Sequence, residues 1–164
     1  MVSVIPSYPK SDTEETRRLF TYWLEEQEAD FPLKDGYDDS WQANLVSLVE
    51  SCVAPDVILH NVPVKTPGRS GWIDFMISLG KAYQDSQTSY DLILVEGNLA
   101  CAHWTYTATH MAAMRSHSPT GKQLIVTGML ADRFENGKIV EHWAVIDRLE
   151  WLQQLGAIDR SVSL

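Results

Sequence analysis

The 164-residue sequence predicts an α+β domain in which a strongly curved antiparallel sheet carries three N-terminal helices on its concave face. Three observations lead there. Apolar residues recur at helical spacing in three segments before Tyr83, and they alternate at strand spacing through most of the chain after Ser89. The strand-rich half is punctuated by turn sequences at Glu96-Gly97-Asn98 and Glu135-Asn136-Gly137. Helices segregated from an antiparallel meander bury their apolar stripes on one face of it. A hydrophobic content of 45% and a charged content of 21% fit one soluble globular domain spanning 1–164.

Residues 1–10 read as a loose arm. Ser11 and Glu14 have capping-box spacing, so the first helix starts there, with Leu19, Phe20, Trp23 and Leu24 as its stripe. Residues 25–40 are acidic and broken by Pro32 and Gly36, and read as an inserted loop that would form a lid or rim. Ser40 caps a second helix that buries Trp41, Leu45, Leu48, Val49 and Cys52 and stops at Pro55. A strand follows from Val57 to Val62. The third helix opens after Gly68–Ser70 and buries Trp72, Phe75, Met76, Leu79 and Tyr83. Strands then run over Tyr90–Val95, Leu99–Met111, Gln123–Phe134 and Lys138–Ile146. Asp147 and Glu150 repeat the capping spacing before a short helix that ends at Gly156, and 157–164 is a tail.

The balance of 22 acids to 13 bases gives a net charge of −9, of which −6 lies in residues 1–40. Such a chain is unsuited to phosphate backbones or anionic lipid, so no nucleic-acid or membrane partner is expected. No window approaches a membrane span, and the N-terminus lacks a signal-peptide stretch, so a cytoplasmic location is expected. Cys52 and Cys101 are too few for a disulfide framework and read as buried reduced thiols. No ligand cluster has metal spacing, and no glycine-rich phosphate loop or nucleophile elbow occurs. Neither metal nor cofactor is expected.

Alternation divides each strand into two faces. Val140, His142, Ala144 and Ile146 share one, with Glu141, Trp143, Val145 and Asp147 opposite. Ala102, Trp104, Tyr106, Ala108 and His110 share another, as do Val126, Gly128, Leu130 and Asp132. Both faces are largely apolar, so alternation leaves open which one points inward, and a bulge would invert part of any set.

The run from Pro119 to Gly156, PTGKQLIVTGMLADRFENGKIVEHWAVIDRLEWLQQLG, resembles the SnoaL-like polyketide cyclase and ester cyclase family. Asp56-Val57-Ile58-Leu59-His60-Asn61 is similar to that family's first strand, and Thr109-His110 to its G-T-H. The resemblance implies the cystatin-like cone shared with nuclear transport factor 2, ketosteroid isomerase, scytalone dehydratase and limonene epoxide hydrolase. It also implies which face lines the cavity: Leu59, Asn61, Trp104, Tyr106, Gly128, Leu130, His142 and Ala144. The positions at which such proteins carry cavity carboxylates hold Ala144, Leu130, Tyr106 and Asn61 here.

Five catalytic candidates remain. His142 suits proton uptake near neutral pH. Tyr106 or His110 would act as the acid, and Asn61 as a polarising donor. Asp147 is the fifth, although its spacing to Glu150 reads as a helix cap. Leu59, Trp72, Phe75, Trp104, Gly128, Leu130 and Ala144 would bind substrate. The resulting expectation is a cofactor-independent enzyme that moves a proton beside a carbonyl in an apolar, polyketide- or terpenoid-like metabolite. The outcome would be cyclisation, isomerisation or dehydration. The alternative is a non-catalytic ligand-binding or assembly module of the same fold. A sheet face bearing His103 and Trp143 suggests a homodimer or higher homo-oligomer.

Overall fold

A computed structural model describes residues 13–30, 38–114, 117–159 and 161. Its elements are α1 (Thr13–Asp30), α2 (Asp39–Cys52), β1 (Val53–His60), α3 (Gly68–Ala82), β2 (Tyr83–Glu96), β3 (Leu99–His110), β4 (Gln123–Glu135), β5 (Lys138–Ile146) and α4 (Arg148–Leu155). The five strands form one curved, unclosed sheet in the order β1-β5-β4-β3-β2. All pairs are antiparallel except β1 with β5, which run parallel. The meander from β2 to β5 is antiparallel as expected, and the strand that precedes α3 joins its β5 edge in parallel. The long connection between β1 and β5 permits a parallel pair, which a tight hairpin cannot make.

Several boundaries move for local physical reasons. The arm and Ser11 lie outside the described residues. α1 continues through 25–30, where a loop was expected, because Glu and Gln propagate a helix well. Gln27 also donates its side-chain amide to the Trp23 carbonyl. Residues 31–37 of the expected lid lie outside the described residues. Asp38, not Ser40, caps α2: its carboxylate accepts from the Trp41 N–H at 2.9 Å, while the Ser40 hydroxyl donates to the same oxygen. β1 starts at Val53 and runs through Pro55, since it is an edge strand with irregular pairing between Val53 and Ile58. It ends at His60, because the next residue, Asn61, takes φ 62° in the left-handed region. β2 begins seven residues before the predicted Tyr90, carried by irregularities at 84–87 and 90–92. Asp85 turns to φ 51° in the first of these. α4 matches its prediction: the Asp147 carboxylate caps it, and Gly156 closes it at φ 82°.

Two apolar cores lie on the inner face. The larger joins Phe20, Trp23, Trp41, Leu45 and Val49 of α1 and α2 to Trp72 and Met76 of α3, and to Ala100, Ala102, Phe134 and Ile139 of the sheet. Phe134 meets Phe20 edge-on at 6.3 Å, and Trp72 meets Trp23 at 5.6 Å. Burying each such ring contributes about 1.5–3 kcal/mol. The smaller core gathers Ala82, Tyr83, Ala108, Leu124, Val126 and Leu155 under α4. Phe75 packs against both. The outer face keeps Ile58, Leu92, Leu94, Ile125, Met129 and Val145 exposed.

His110 is fully buried beside the smaller core, its ring 5.1 Å from that of Tyr83. Its Nδ1 lies 3.3 Å from the Thr120 hydroxyl. Burial first, and then the neighbouring His117, hold its pKa below the usual histidine value. The unfolded chain therefore binds more protons than the folded one once pH drops below about 6.5. This proton linkage costs the fold nothing well above that pH, and stability falls as the solution is acidified, by at most about 1.4 kcal/mol per pH unit. His110→Asn should show a shallower loss of Tm between pH 7 and pH 5 than the wild type. Equal acid slopes would show that His110 takes up its proton as readily folded as unfolded.

Candidate active site

A one-residue bulge organises the site. Arg133 pairs with Glu141, but the next residue of β4, Phe134, pairs with Ile139, so Val140 is the extra residue of β5. Beyond it, every residue of β5 swaps faces relative to the hairpin turn. His142, Ala144 and Ile146 oppose Asp132, Leu130 and Gly128. These β4 residues pair in turn with Ala100, Ala102 and Trp104 of β3. Leu59 of β1 pairs with His142. The inner face is thus a set of rows, of which Leu59, His142, Asp132 and Ala100 form the first.

In that row, His142 Nδ1 lies 2.6 Å from Asp132 Oδ1. Asp132 is fully buried and His142 is 7% exposed. The Trp72 ring covers the imidazole at 4.5 Å, tilted by 37°. Asp132 Oδ2 is buried with no hydrogen-bond partner among the described residues. A carboxylate bonded to Nδ1 favours the tautomer with its proton there, which leaves the Nε2 lone pair available as a base. Sequence reasoning placed Asp132 on a face with Leu130 but gave it no role. The available signal was a lone acid at an inward position between Leu130 and Phe134. Burial, and then the Asp132 charge, push the neighbouring Cys101 thiol up, so it stays protonated rather than becoming a nucleophile.

Leu59, Phe75, Trp104, Leu130 and Ala144 are partly exposed; Leu59, Phe75 and Leu130 pack against the larger core, and Phe75 and Trp104 against the smaller. Trp104 seats its indole on Gly128. A Cβ at that glycine would lie 2.3 Å from Trp104 Cζ2 and 2.4 Å from the Val145 carbonyl oxygen, so nothing larger than glycine fits.

The remaining candidates separate from His142. Tyr106 lies six residues along β3 from Ala100, roughly 20 Å at ~3.3 Å per residue before curvature shortens it. Its hydroxyl oxygen is buried, and its ring meets Tyr83 edge-on at 6.4 Å. His110 lies four residues further still. Neither sits beside His142 to share one reacting carbon, contrary to the expected base and acid pairing. Asn61 is exposed in its left-handed turn, and its backbone carbonyl accepts from Arg148. Asp147 is exposed and accepts from the Glu150 N–H at 3.0 Å, which is its capping role. The outer face holds His60, stacked on Trp143 at 4.9 Å and bonded to Glu141, and His103, bonded to Asp91. Burial pushes the Glu141 carboxyl up, but the hydrogen bonds from His60 and Arg133 outweigh it and leave it below its usual range. A shallow groove lined by Lys122, Gln123, Gln153 and Gln154 holds none of the candidates. Among the described residues, no three His, Cys, Asp or Glu side chains group as metal ligands would.

Known proteins share this architecture. TsrD from Streptomyces laurentii superposes with a TM-score of 0.71 at 21% identity, covering 87% of this chain and 98% of that one. AclR from Streptomyces galilaeus does so with 0.69 at 23%, covering 89% and 98%. A SnoaL-like polyketide cyclase from Agrobacterium tumefaciens gives 0.65 at 17%, covering 86% and 98%. At these identities the likeness shows the fold alone. No curated protein sequence matches. The family model for SnoaL-like polyketide cyclases matches residues 33–155, which take in the whole sheet and α2 to α4, and the chain therefore belongs to the SnoaL-like polyketide cyclase family.

Proposed function

We propose that the protein is a cofactor-independent enzyme that moves a proton beside a carbonyl in an apolar metabolite, with His142 as the base. The observation that carries this reading is the 2.6 Å contact between His142 Nδ1 and the buried Asp132 carboxylate on the inner face of the sheet. His142 Nε2 takes a proton from the carbon next to the carbonyl, and the electron pair moves onto the oxygen as an enolate. The imidazolium so formed faces Asp132 and the π-face of Trp72, both of which favour positive charge. The enolate carbon then attacks a second carbonyl, whose π pair becomes an alkoxide, or the enolate is reprotonated at another carbon or expels a β-hydroxide. The imidazolium returns its proton to the alkoxide, the carbon or the departing hydroxide, giving cyclisation, isomerisation or dehydration. The apolar walls exclude water, which strengthens these interactions. Tyr106 and His110, further along β3 and packed on Tyr83, take structural rather than proton-transfer roles. Asn61 and Asp147 act as turn and cap.

Proton exchange into 2-tetralone in heavy water, followed by NMR, tests the base directly. The wild type should accelerate exchange at the carbon beside the carbonyl, and His142→Gln should slow it by roughly 10²–10⁴-fold while the fold and ligand affinity persist. Exchange retained in that variant would remove His142 from the chemistry. Binding of the ketone without any exchange by the wild type would instead favour a ligand-binding module.

The partner on the outer face is a second copy of the chain. Six large apolar side chains stay exposed there, with Val145 at 62% and Leu94 at 58%. A monomer rarely leaves such a patch open. Val145→Glu should shift the sedimentation coefficient from dimer to monomer. A wild type that sediments as a monomer at micromolar concentration would refute the assembly. Free thiols at Cys52 and Cys101 fit a reducing, cytoplasmic setting.

A further inference from the structure

We propose that Trp23 of α1 is a positioning residue of the site: through the Trp72 indole it fixes the plane of the His142 ring, and so the direction of Nε2. This rests on His142 being the base, as proposed above. The Asp132 carboxylate holds the imidazole at one point, Nδ1, at 2.6 Å. A single hydrogen bond leaves the ring free to rock about it, and rocking swings Nε2. The Trp72 indole limits that motion, 4.5 Å from the imidazole and inclined to it by 37°. Trp72 needs support in its turn, because an indole rotates about its own side-chain torsions even when its helix is held. Trp23 gives that support, its ring meeting Trp72 at 5.6 Å and 66°. Trp23, Trp72, His142 and Asp132 thus form an unbroken line of contact from α1 to the sheet, and all four are buried.

α1 is a fixed end for this line. Thr13 at its start accepts a hydrogen bond from the Gly97 N–H of the β2–β3 turn at 3.0 Å. Phe20, three residues before Trp23 and so on the same helix face, meets Phe134 of β4 edge-on at 6.3 Å. The helix is pinned to the sheet at two places without any help from Trp23. α3 is held as well. Arg69 donates to the Val53 carbonyl at 3.1 Å, and a Cβ at Gly71 would lie 1.7 Å from the Thr66 carbonyl oxygen. With both backbones anchored, the two indoles restrain each other across a set distance. Shortening Trp23 would leave a space into which the Trp72 indole can tilt, because the anchored helices cannot close it. α1 precedes the residues 33–155 that match the family model, so the site draws on a part of this chain beyond them.

The ring-proton resonances of His142, which lie in the ring current of Trp72, read the tilt without turnover. Proton exchange into 2-tetralone reads its consequence. Trp23→Leu should move the His142 resonances and slow exchange about tenfold, since misplacing a reacting group by ~1 Å can cost ~10²-fold. Phe20→Leu removes a ring from the same helix face and the same core but not from Trp72, and should leave both readouts unchanged at a similar loss of Tm. Trp23→Phe, which keeps a ring against the indole and protects the fold, should lie between Trp23→Leu and the wild type, and decides the matter if Trp23→Leu does not fold. Resonances unmoved or exchange unslowed in the Trp23 variants, or both changed equally in Phe20→Leu, would overturn the positioning role and leave His142 as the base. Exchange retained in His142→Gln would overturn the base itself, and the positioning role with it.

Discussion

The bulge at Val140 is the constraint on which the site depends. A two-residue hairpin turn at Asn136-Gly137, followed without interruption, would set Asp132 opposite Glu141 and Leu130 opposite Trp143. The extra residue slides β5 by one, so that Asp132 meets His142 and Leu130 meets Ala144. Ile139 keeps its inward direction ahead of the bulge and is fully buried against Phe134. Glu141 turns outward, where it bonds His60 and Arg133. One inserted residue therefore decides which imidazole is inside, which carboxylate faces it, and which charged group is left for the surface.

The pair so formed is costly where it stands. Asp132 is fully buried in a predominantly apolar core, and one of its oxygens has no partner among the described residues. An unsatisfied buried polar atom costs about 1–3 kcal/mol, and more when charged. With a neutral imidazole the pair carries a single negative charge. Proton uptake at Nε2 turns it into a neutral ion pair over the Trp72 ring.

Much of this was legible in the sequence. The strands from Leu99 onward, the Asp147 cap and the Gly156 stop follow from local turn and capping chemistry, which acts over a few residues. The site was legible in part. His142, Leu130, Trp104 and Ala144 share a face, but alternation alone does not say which face is inner, and no local signal marks the bulge. Asp132 was read as a face member because its partner lies ten residues away across a register shift. The beginning of β2 was hidden because Tyr83 extends the apolar stripe of α3, while its backbone is already extended and passes directly from the helix into the sheet. Tyr106 and His110 were expected near His142 because a face list carries no distance, and the rows of the sheet set them apart.

The central claim is that Asp132 holds the His142 proton on Nδ1 and leaves Nε2 as the base. Long-range ¹H–¹⁵N correlation spectra of the histidine rings measure this directly. The account predicts the Nδ1–H tautomer for His142 in the neutral wild-type protein, and its loss or reversal to Nε2–H in Asp132→Asn, whose amide can donate to Nδ1. An Nε2–H tautomer in the wild type would contradict it, because His142 would then offer a hydrogen-bond donor and no base.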